Sequence, residues 1–528
     1  MRMTNKIMQN NSLYNINNNK VLQDKLSTQM STLKKITRPS DDPVIAIRAL
    51  RLRSDVSQVK QYYEKNAPDA KSWLEVTADA LGTTTDVINS MLQQCNKGSN
   101  KDLGVEQLDI IVTQLKSLKE EFYATGNVDY AGRYVFTGYR TDTTLTYTEN
   151  KTENFEITEQ LNVSAVDTVN YTNIGKLKGA SSTSYDPSTP NTPLEEDVDI
   201  KNNDIYRIRL SYDNLKGTDA AGNPVVPVIT KYDTTTTPPL YTNVFSSAVQ
   251  KMSSTDVPSP YDYITDPANS DKVVFVPETG EILMGKDAYD DFAAVGDDTE
   301  IRVTYEKDSW KEGDLRPQHY FACKYSETVS TGAVIKTINY NEGYLTEEGA
   351  SQVIKYDVGY NQTIRINTTA DEVFTLDVDR NIDDLESALA SLKEINEAKT
   401  NIEKMLAGYA EGTTEYNNLK ATADAADKAY TYIRQNIQKI FEGLITKVNG
   451  TLDNTSVAIT DNGTRGSRLD LISNRLMTQK TTFQTLQSSN EDVDIAEVTI
   501  QLTSMNNSYQ SALLATSKIM QNSLMNYI

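Results

Sequence analysis

Apolar residues near the end of the chain, Ile495, Val498, Leu502, Met505, Tyr509, Ala512, Thr516 and Ile519, recur at steps of three and four, with Thr516 the one polar member. Between them stand mostly Gln, Asn, Ser and Thr, and neither Gly nor Pro follows Ile495. This is a helix with a narrow apolar seam, which needs a helix alongside it to cover that seam. At the other end, Leu22, Leu26, Met30 and Leu33 repeat the stripe in a segment, about 12–36, that is also free of Gly and Pro. The spacing therefore predicts a chain that returns on itself, with its first and last helices paired.

Punctuation between these ends predicts further elements. In Arg38-Pro39-Ser40-Asp41-Asp42-Pro43, Pro39 ends the first helix and Asp42-Pro43 caps and opens the next. Val44, Ile47, Leu50, Leu52, Val56, Val59 and Tyr63 carry that helix on towards Leu81, with Pro68 expected to kink it. After a loop at 97–104, Leu108, Ile111, Leu115, Leu118 and Phe122 predict the second arm of a helical hairpin. From about Gly132 to Phe374 the period shortens to two, as in Tyr206, Ile208, Leu210 and Tyr212. Val273–Val276 and Glu281–Met284, around a Pro-Glu-Thr-Gly turn, predict a hairpin. Stretches 180–200 and 233–260 read as Ser/Thr/Pro loops. Helical spacing returns with Ile382, Leu385, Leu389 and Leu392, then Ile433, Ile437, Ile440, Leu444 and Val448; 449–466 reads as a Gly/Asn/Thr loop.

The fold class is therefore α+β, multidomain and nested. Terminal helices form a coiled-coil or bundle rod, and a central antiparallel β insert separates them. The expected division is 1–43 with 483–528 as a paired-helix domain, 44–142 with 353–482 as a helical rod, and 143–352 as the solvent-facing insert.

Charge refines this picture. The 528 residues carry a formal −21, which disfavours nucleic acid and anionic membrane as partners. The bias is uneven: residues 1–60 hold eleven Lys/Arg against four acids, whereas 483–528 hold Lys518 against four acids. Opposite signs weakly favour pairing of the two ends. Candidate chemistry is sparse. Cys95 and Cys323 are the only cysteines and His319 the only histidine, so no disulfide scaffold, Cys/His zinc site or His-based nucleophile scheme can be assembled. Acid pairs Asp197/Asp199, Asp377/Asp379 and Asp383/Asp384 are the adjacencies expected of a chain with 73 acids. No catalytic, metal or cofactor site is expected, and the chain reads as non-enzymatic. The first residues lack the apolar core of a cleavable secretory signal, and no apolar run is long enough to span a bilayer.

Several motifs resemble the flagellar hook-associated protein 3 family of hook–filament junction proteins, within the flagellin-like superfamily. They are Arg38-Pro39-Ser40-Asp41-Asp42-Pro43-Val44, Ser72-Trp73-Leu74, Gly132-Arg133-Tyr134-Val135-Phe136-Thr137-Gly138, Ile354–Gly359 with Ile366-Asn367, and Ser511–Thr516 through Ser523–Ile528. The resemblance covers about 1–142 and 353–528. Flagellin itself shares the nested plan; Pro39 with Pro43 and the Asn526-Tyr527-Ile528 ending favour the junction family. The resemblance implies an axial subunit that stacks on the first hook-associated protein, forms a ring with its own copies and templates flagellin. It also implies signal-less export through the flagellar apparatus to the extracellular appendage, with an export chaperone on the C-terminal helical end, about 483–528. The assembly seam is then Leu22, Leu26, Met30, Leu33, Ile495, Val498, Leu502, Met505, Tyr509, Ala512 and Ile519, and the turn motif is 38–43. The exposed seams lead us to expect terminal helices that are largely disordered in the free subunit and fold on docking.

Overall fold

The computed structural model describes residues 5–174, 177, 200–233, 240–296, 299–328, 334–346 and 351–521. The expected loop at 180–199, the acid pair Asp197/Asp199 and the Ser523–Ile528 ending lie outside the described residues. The chain forms two compact units, one drawn from 1–72, 356–364 and 466–528 and the other from 73–355 and 365–465.

In the first unit, helix α1 (Asn5–Thr32) runs beside the terminal helix Ile495–Gln521. Helix α2 (Pro43–Gln61) starts on an Asp42 cap, with Pro43 in its first turn. It continues into a π-helical turn, Tyr62–Asn66, before α3 (Ala67–Gly98). The kink expected at Pro68 thus takes the form of a π-bulge. Proline has no N–H to offer the carbonyl four residues back, and the widened turn immediately before it absorbs the mismatch.

In the second unit, α3 and α4 (Val105–Ala124) form the predicted hairpin, against which the helix Asp377–Leu406 lies. Trp73, Leu81, Ile88, Met91, Leu115, Phe122, Ile382, Leu385 and Leu392 are buried there. Strands β1 (Asp129–Tyr130) and β2 (Arg133–Tyr134) meet at Ala131-Gly132, both at positive φ, as a two-residue primed turn requires.

Among its described residues the insert forms two sheets. Strands β3 (Lys151–Leu161), β6 (Val228–Asp233), β7 (Leu240–Asn243), β11 (Ile301–Trp310), β12 (Ala322–Thr328) and β13 (Val334–Tyr340) make an antiparallel six-stranded sheet in the order β13-β12-β3-β11-β6-β7. A second sheet, ordered β4-β5-β10-β9-β8, is built from β4 (Val166–Thr172), β5 (Asn202–Arg209), β8 (Val249–Lys251), β9 (Val273–Val276) and β10 (Glu281–Met284). Its β9–β10 hairpin is the one expected, but β8 pairs parallel with β9, so this insert is not wholly antiparallel. Strands β7 and β8 also replace part of the loop expected at 233–260. The insert is tied to the Asp377–Leu406 helix by charge: Arg207 and Arg209 pair with Asp384, and Arg380 donates to the Leu210 carbonyl at 3.2 Å.

One expectation fails outright. Residues 449–466 are not a loop but the middle of a 78-residue helix, Thr414–Glu491. Val448, Thr451, Thr455, Ala458, Asn462, Arg465, Leu469, Ile472 and Leu476 are all buried, at alternating steps of three and four. Four of the nine are polar, so a search for apolar periodicity passes over the stripe. Thr451 and Thr455 donate to the carbonyls of Lys447 and Thr451, which lets hydroxyls sit inside a helix interface without losing hydrogen bonds.

Candidate functional site

The candidate site is a surface rather than a cleft: the terminal helices and the turns that connect them to α2 and to the long helix, all within the first unit. It begins where α1 stops. Leu33 adopts φ +60, a conformation a branched side chain rarely takes, and it turns the chain out of the helix. The following residues run antiparallel to those after the long helix. Lys35 N–H donates to Glu491 O at 2.7 Å, Val493 N–H donates to Leu33 O at 3.1 Å, and Lys34 bridges Asp492.

An ion cluster fastens this crossing. Arg53 grips Glu491 with two bonds, Nε to Oε1 at 2.8 Å and Nη2 to Oε2 at 2.6 Å, and the Glu491 side chain is only 2% exposed. Lys34 Nζ donates to Asp492 Oδ1 at 2.5 Å and lies 3.4 Å from Glu491. The Arg53 guanidinium holds the Glu491 carboxyl below its ordinary range, and the Lys34 ammonium does the same for Asp492. Bidentate arginine–carboxylate geometry is among the strong forms of this interaction. Nothing local in the sequence announces Arg53 and Glu491, which lie 438 positions apart.

The turn motif is self-contained. Asp41 Oδ2 accepts from the N–H groups of Arg38 at 2.9 Å and Thr37 at 3.1 Å; Asp42 Oδ1 accepts from those of Val44 at 2.9 Å and Ile45 at 3.1 Å. Asp41 serves the turn and Asp42 the helix cap. Arg38, Pro39, Ser40, Asp41 and Pro43 remain exposed, and Asp42 is half-buried.

The seam residues divide into two groups. Val498 is buried, Leu502, Met505, Tyr509, Ala512 and Ile519 are half-buried, and Ile495 is 52% exposed. On α1, Leu26 is buried, whereas Leu22 and Met30, and Leu33 just past its end, are exposed. The covered stripe of α1 runs through Ser12, Ile16, Asn19, Gln23 and Leu26, and Gln23 hydrogen-bonds Asn506 of the terminal helix. The residues between the two helices are therefore partly polar, and large apolar side chains are left outside. Val21, Tyr14, Ile500 and Leu514 face solvent, as do Val44, Ile47 and Leu50 along one stripe of α2.

Comparison with known proteins bears on this surface. Residues 3–141 match the family model for the bacterial flagellin N-terminal helical region. Two curated relatives are flagellar hook-associated protein 3 of Salmonella typhimurium, 29% identical over 143 residues, and that of Escherichia coli, 28% identical over 144. Each match takes in 27% of this chain and 45% of the relative, so the chain matches less than half the length of either. Among solved structures, Xanthomonas campestris FlgL is 11% identical, covers 83% of this chain and 99% of its own, and has a TM-score of 0.30. The flagellar junction protein FlgL from Legionella pneumophila is 9% identical, covers 85% and 100%, and has a TM-score of 0.25. At such scores these two likenesses carry no argument.

The other sequence candidates have structural surroundings. His319 is 3% exposed, with its ring nitrogens 3.2 Å from the Thr137 carbonyl and 3.1 Å from that of Thr144. Burial lowers it to about 4, against the two carbonyls, which favour the charged ring. Cys95 and Cys323 are buried free thiols, and burial pushes Cys95 up to about 12. Asp377 pairs with Lys447, Asp379 and Asp383 with Lys119, and Asp384 with Arg207. Among the described residues no group of His, Cys, Asp or Glu could hold a metal ion, and no helix is long and apolar enough to cross a membrane.

Proposed function

We propose that the chain is a structural subunit of the bacterial flagellum, an adaptor at the hook–filament junction. Its terminal helices pack onto the first hook-associated protein, its copies form a ring, and flagellin assembles on the far side. It acts without catalysis, and it leaves the cell through the flagellar export apparatus with a chaperone on about residues 483–528. The three-part division into terminal, rod and insert domains belongs to the same proposal. The observation that carries it is the outer surface of the first unit: a paired-helix arm and an α2 stripe whose large apolar side chains are exposed among the described residues. Leu22, Met30, Leu33 and Ile495 are the seam members free to meet a neighbouring subunit.

Deleting the gene tests the role. Cells that keep a hook, lose filaments and shed unpolymerised flagellin support it; normal filaments and motility reject it. Within one subunit α1 and the terminal helix already lie side by side over partly polar contacts, so the pair is expected to open readily rather than to be unfolded. Limited proteolysis of purified subunit should trim both ends first, and protection of residues 1–36 and 495–528 would count against folding on docking. The flagellin-type N-terminal region also favours a second reading, the filament subunit itself. In that case purified protein polymerises into long filaments, whereas an adaptor does not.

A further inference from the structure

Lys307, in β11, has a side chain that is 1% exposed. Its Nζ donates to the main-chain oxygen of Asp213 at 2.5 Å, and lies 3.6 Å from Asp213 Oδ1 and 3.8 Å from Asp314 Oδ2. The Trp310 ring centre is 5.1 Å from Nζ and that of Tyr212 is 6.0 Å, and both rings are buried. An amine packed against aromatic rings therefore meets two carboxyls.

The two acids are held differently. Asp213 accepts from Asn214 Nδ2 at 2.6 Å and lies 3.7 Å from the Lys311 ammonium, partners that suit a carboxylate. Asp314 Oδ2 accepts from the Lys311 N–H at 2.9 Å. Burial raises the Asp314 carboxyl above its ordinary range and lowers the Lys307 amine below its own, so each is moved towards its neutral form. The turn cannot easily withdraw: Gly313 N–H donates to Tyr147 O and Tyr147 N–H to Asp314 O, both at 2.8 Å. A buried ion pair by itself adds little stability, whereas reactants held side by side gain greatly in effective concentration.

We propose that Lys307 Nζ and Asp314 Cγ join in an intramolecular isopeptide bond, with Asp213 as the proton acceptor. The Asp213 carboxylate removes one proton from the ammonium. The amine lone pair then attacks Cγ of the neutral Asp314 carboxyl, while the Lys311 N–H steadies Oδ2. A second nitrogen proton passes to the Asp314 hydroxyl as its C–O bond breaks, and water leaves. Asp213, whose side chain is 33% exposed, returns its proton to solvent. Amine and carboxylic acid become amide and water, with no oxidant or cofactor. The bond ties the end of β11 to the turn after it, at the foot of the Trp310 cluster.

Mass spectrometry of purified full-length chain, denatured and digested with trypsin, tests this directly. The expected result is no cleavage after Lys307 and a peptide joining Lys307 to Asp314 that is lighter by one water. Lys307→Arg and Asp314→Ala should each restore the full mass, with near-ultraviolet circular dichroism confirming their fold. Unmodified linear peptides from folded wild-type protein overturn the proposal, whatever the variants do. A branch from Lys307 to Asp213 overturns the assignment to Asp314. Persistence of the bond in Asp213→Asn overturns the proton-acceptor role.

Discussion

The two units bury different kinds of side chain. In the larger one, Trp310 stacks on Tyr147 at 5.0 Å and meets Phe155 and Tyr212 edge-on, while Phe374 lies between Phe122 and Phe136 at 5.2 and 5.1 Å. In the smaller one the buried positions of α1 and α2 are Ile16, Leu26, Ala46, Ala49 and Val59, with Asn and Gln filling the stripe between. Both units hold ample apolar residues; the smaller one points many of them at solvent. A domain that must stand alone places its bulk inside. A surface that will be covered by neighbours can leave bulk outside and keep polar, reversible contacts within, because the missing burial arrives with the partner.

Substitutions should separate the units by size of effect. Trp310→Ala should cost about 3–5 kcal/mol, since it empties a filled aromatic site. Its denaturant midpoint should fall further than that of any single change in the paired helices. A smaller shift than that caused by Leu26→Ala would break the comparison.

Acid should act next. His319 titrates at about 4 in the folded chain and near 6.5 when unfolded, so the unfolded state binds more protons between those values. Stability from this residue is complete above pH 6.5 and lost as pH falls towards 4, on the order of 3 kcal/mol. Stability curves of His319→Gln should be flatter across that window, and an unchanged slope would show that the ring does not control it.

Leu26→Ala should cost about 2 kcal/mol, the low end for a buried leucine, because its surroundings are already part polar. Hydrogen exchange along α1 should report it while the insert stays protected. Glu491→Gln should cost about 1 kcal/mol, since Arg53 is half exposed and solvent screens the pair. Faster exchange at the amides of Lys35 and Val493 is the expected signature. This stability is present above the ordinary carboxylate range and lost as acid protonates Glu491, whose folded pKa is depressed. Last in stability comes Ile47→Ser with Leu50→Ser, expected within about 0.5 kcal/mol for exposed sites. The same pair should nevertheless abolish filament growth in cells, which sharpens the contrast between a core and an interface.

How much could be read in advance depended on the kind of side chain at the buried positions. Ile382, Leu385, Leu389 and Leu392 announce their helix because burial and apolarity coincide, and Val273–Val276 with Glu281–Met284 announce their hairpin through the turn between. The helix across 449–466 was hidden because Thr451, Thr455, Asn462 and Arg465 occupy its buried stripe. For the same reason Leu22 and Met30 draw attention on α1, although the covered stripe runs through Ser12, Asn19 and Gln23. Arg53 with Glu491, and Lys307 with its two acids, were illegible for another reason. Charge contacts carry no periodicity, and only a folded chain brings such residues together.

The sequence by itself determined the nested order of helices, insert and helices, the Asp42-Pro43 start of α2 and the amphipathic character of both ends, since each follows from period and local capping. Tertiary structure decided which face of each terminal helix is covered, which acids are held by which bases, and which strands share a sheet. Those outcomes depend on residues far apart in the chain, and the free energy that selects them exists only once the elements have met.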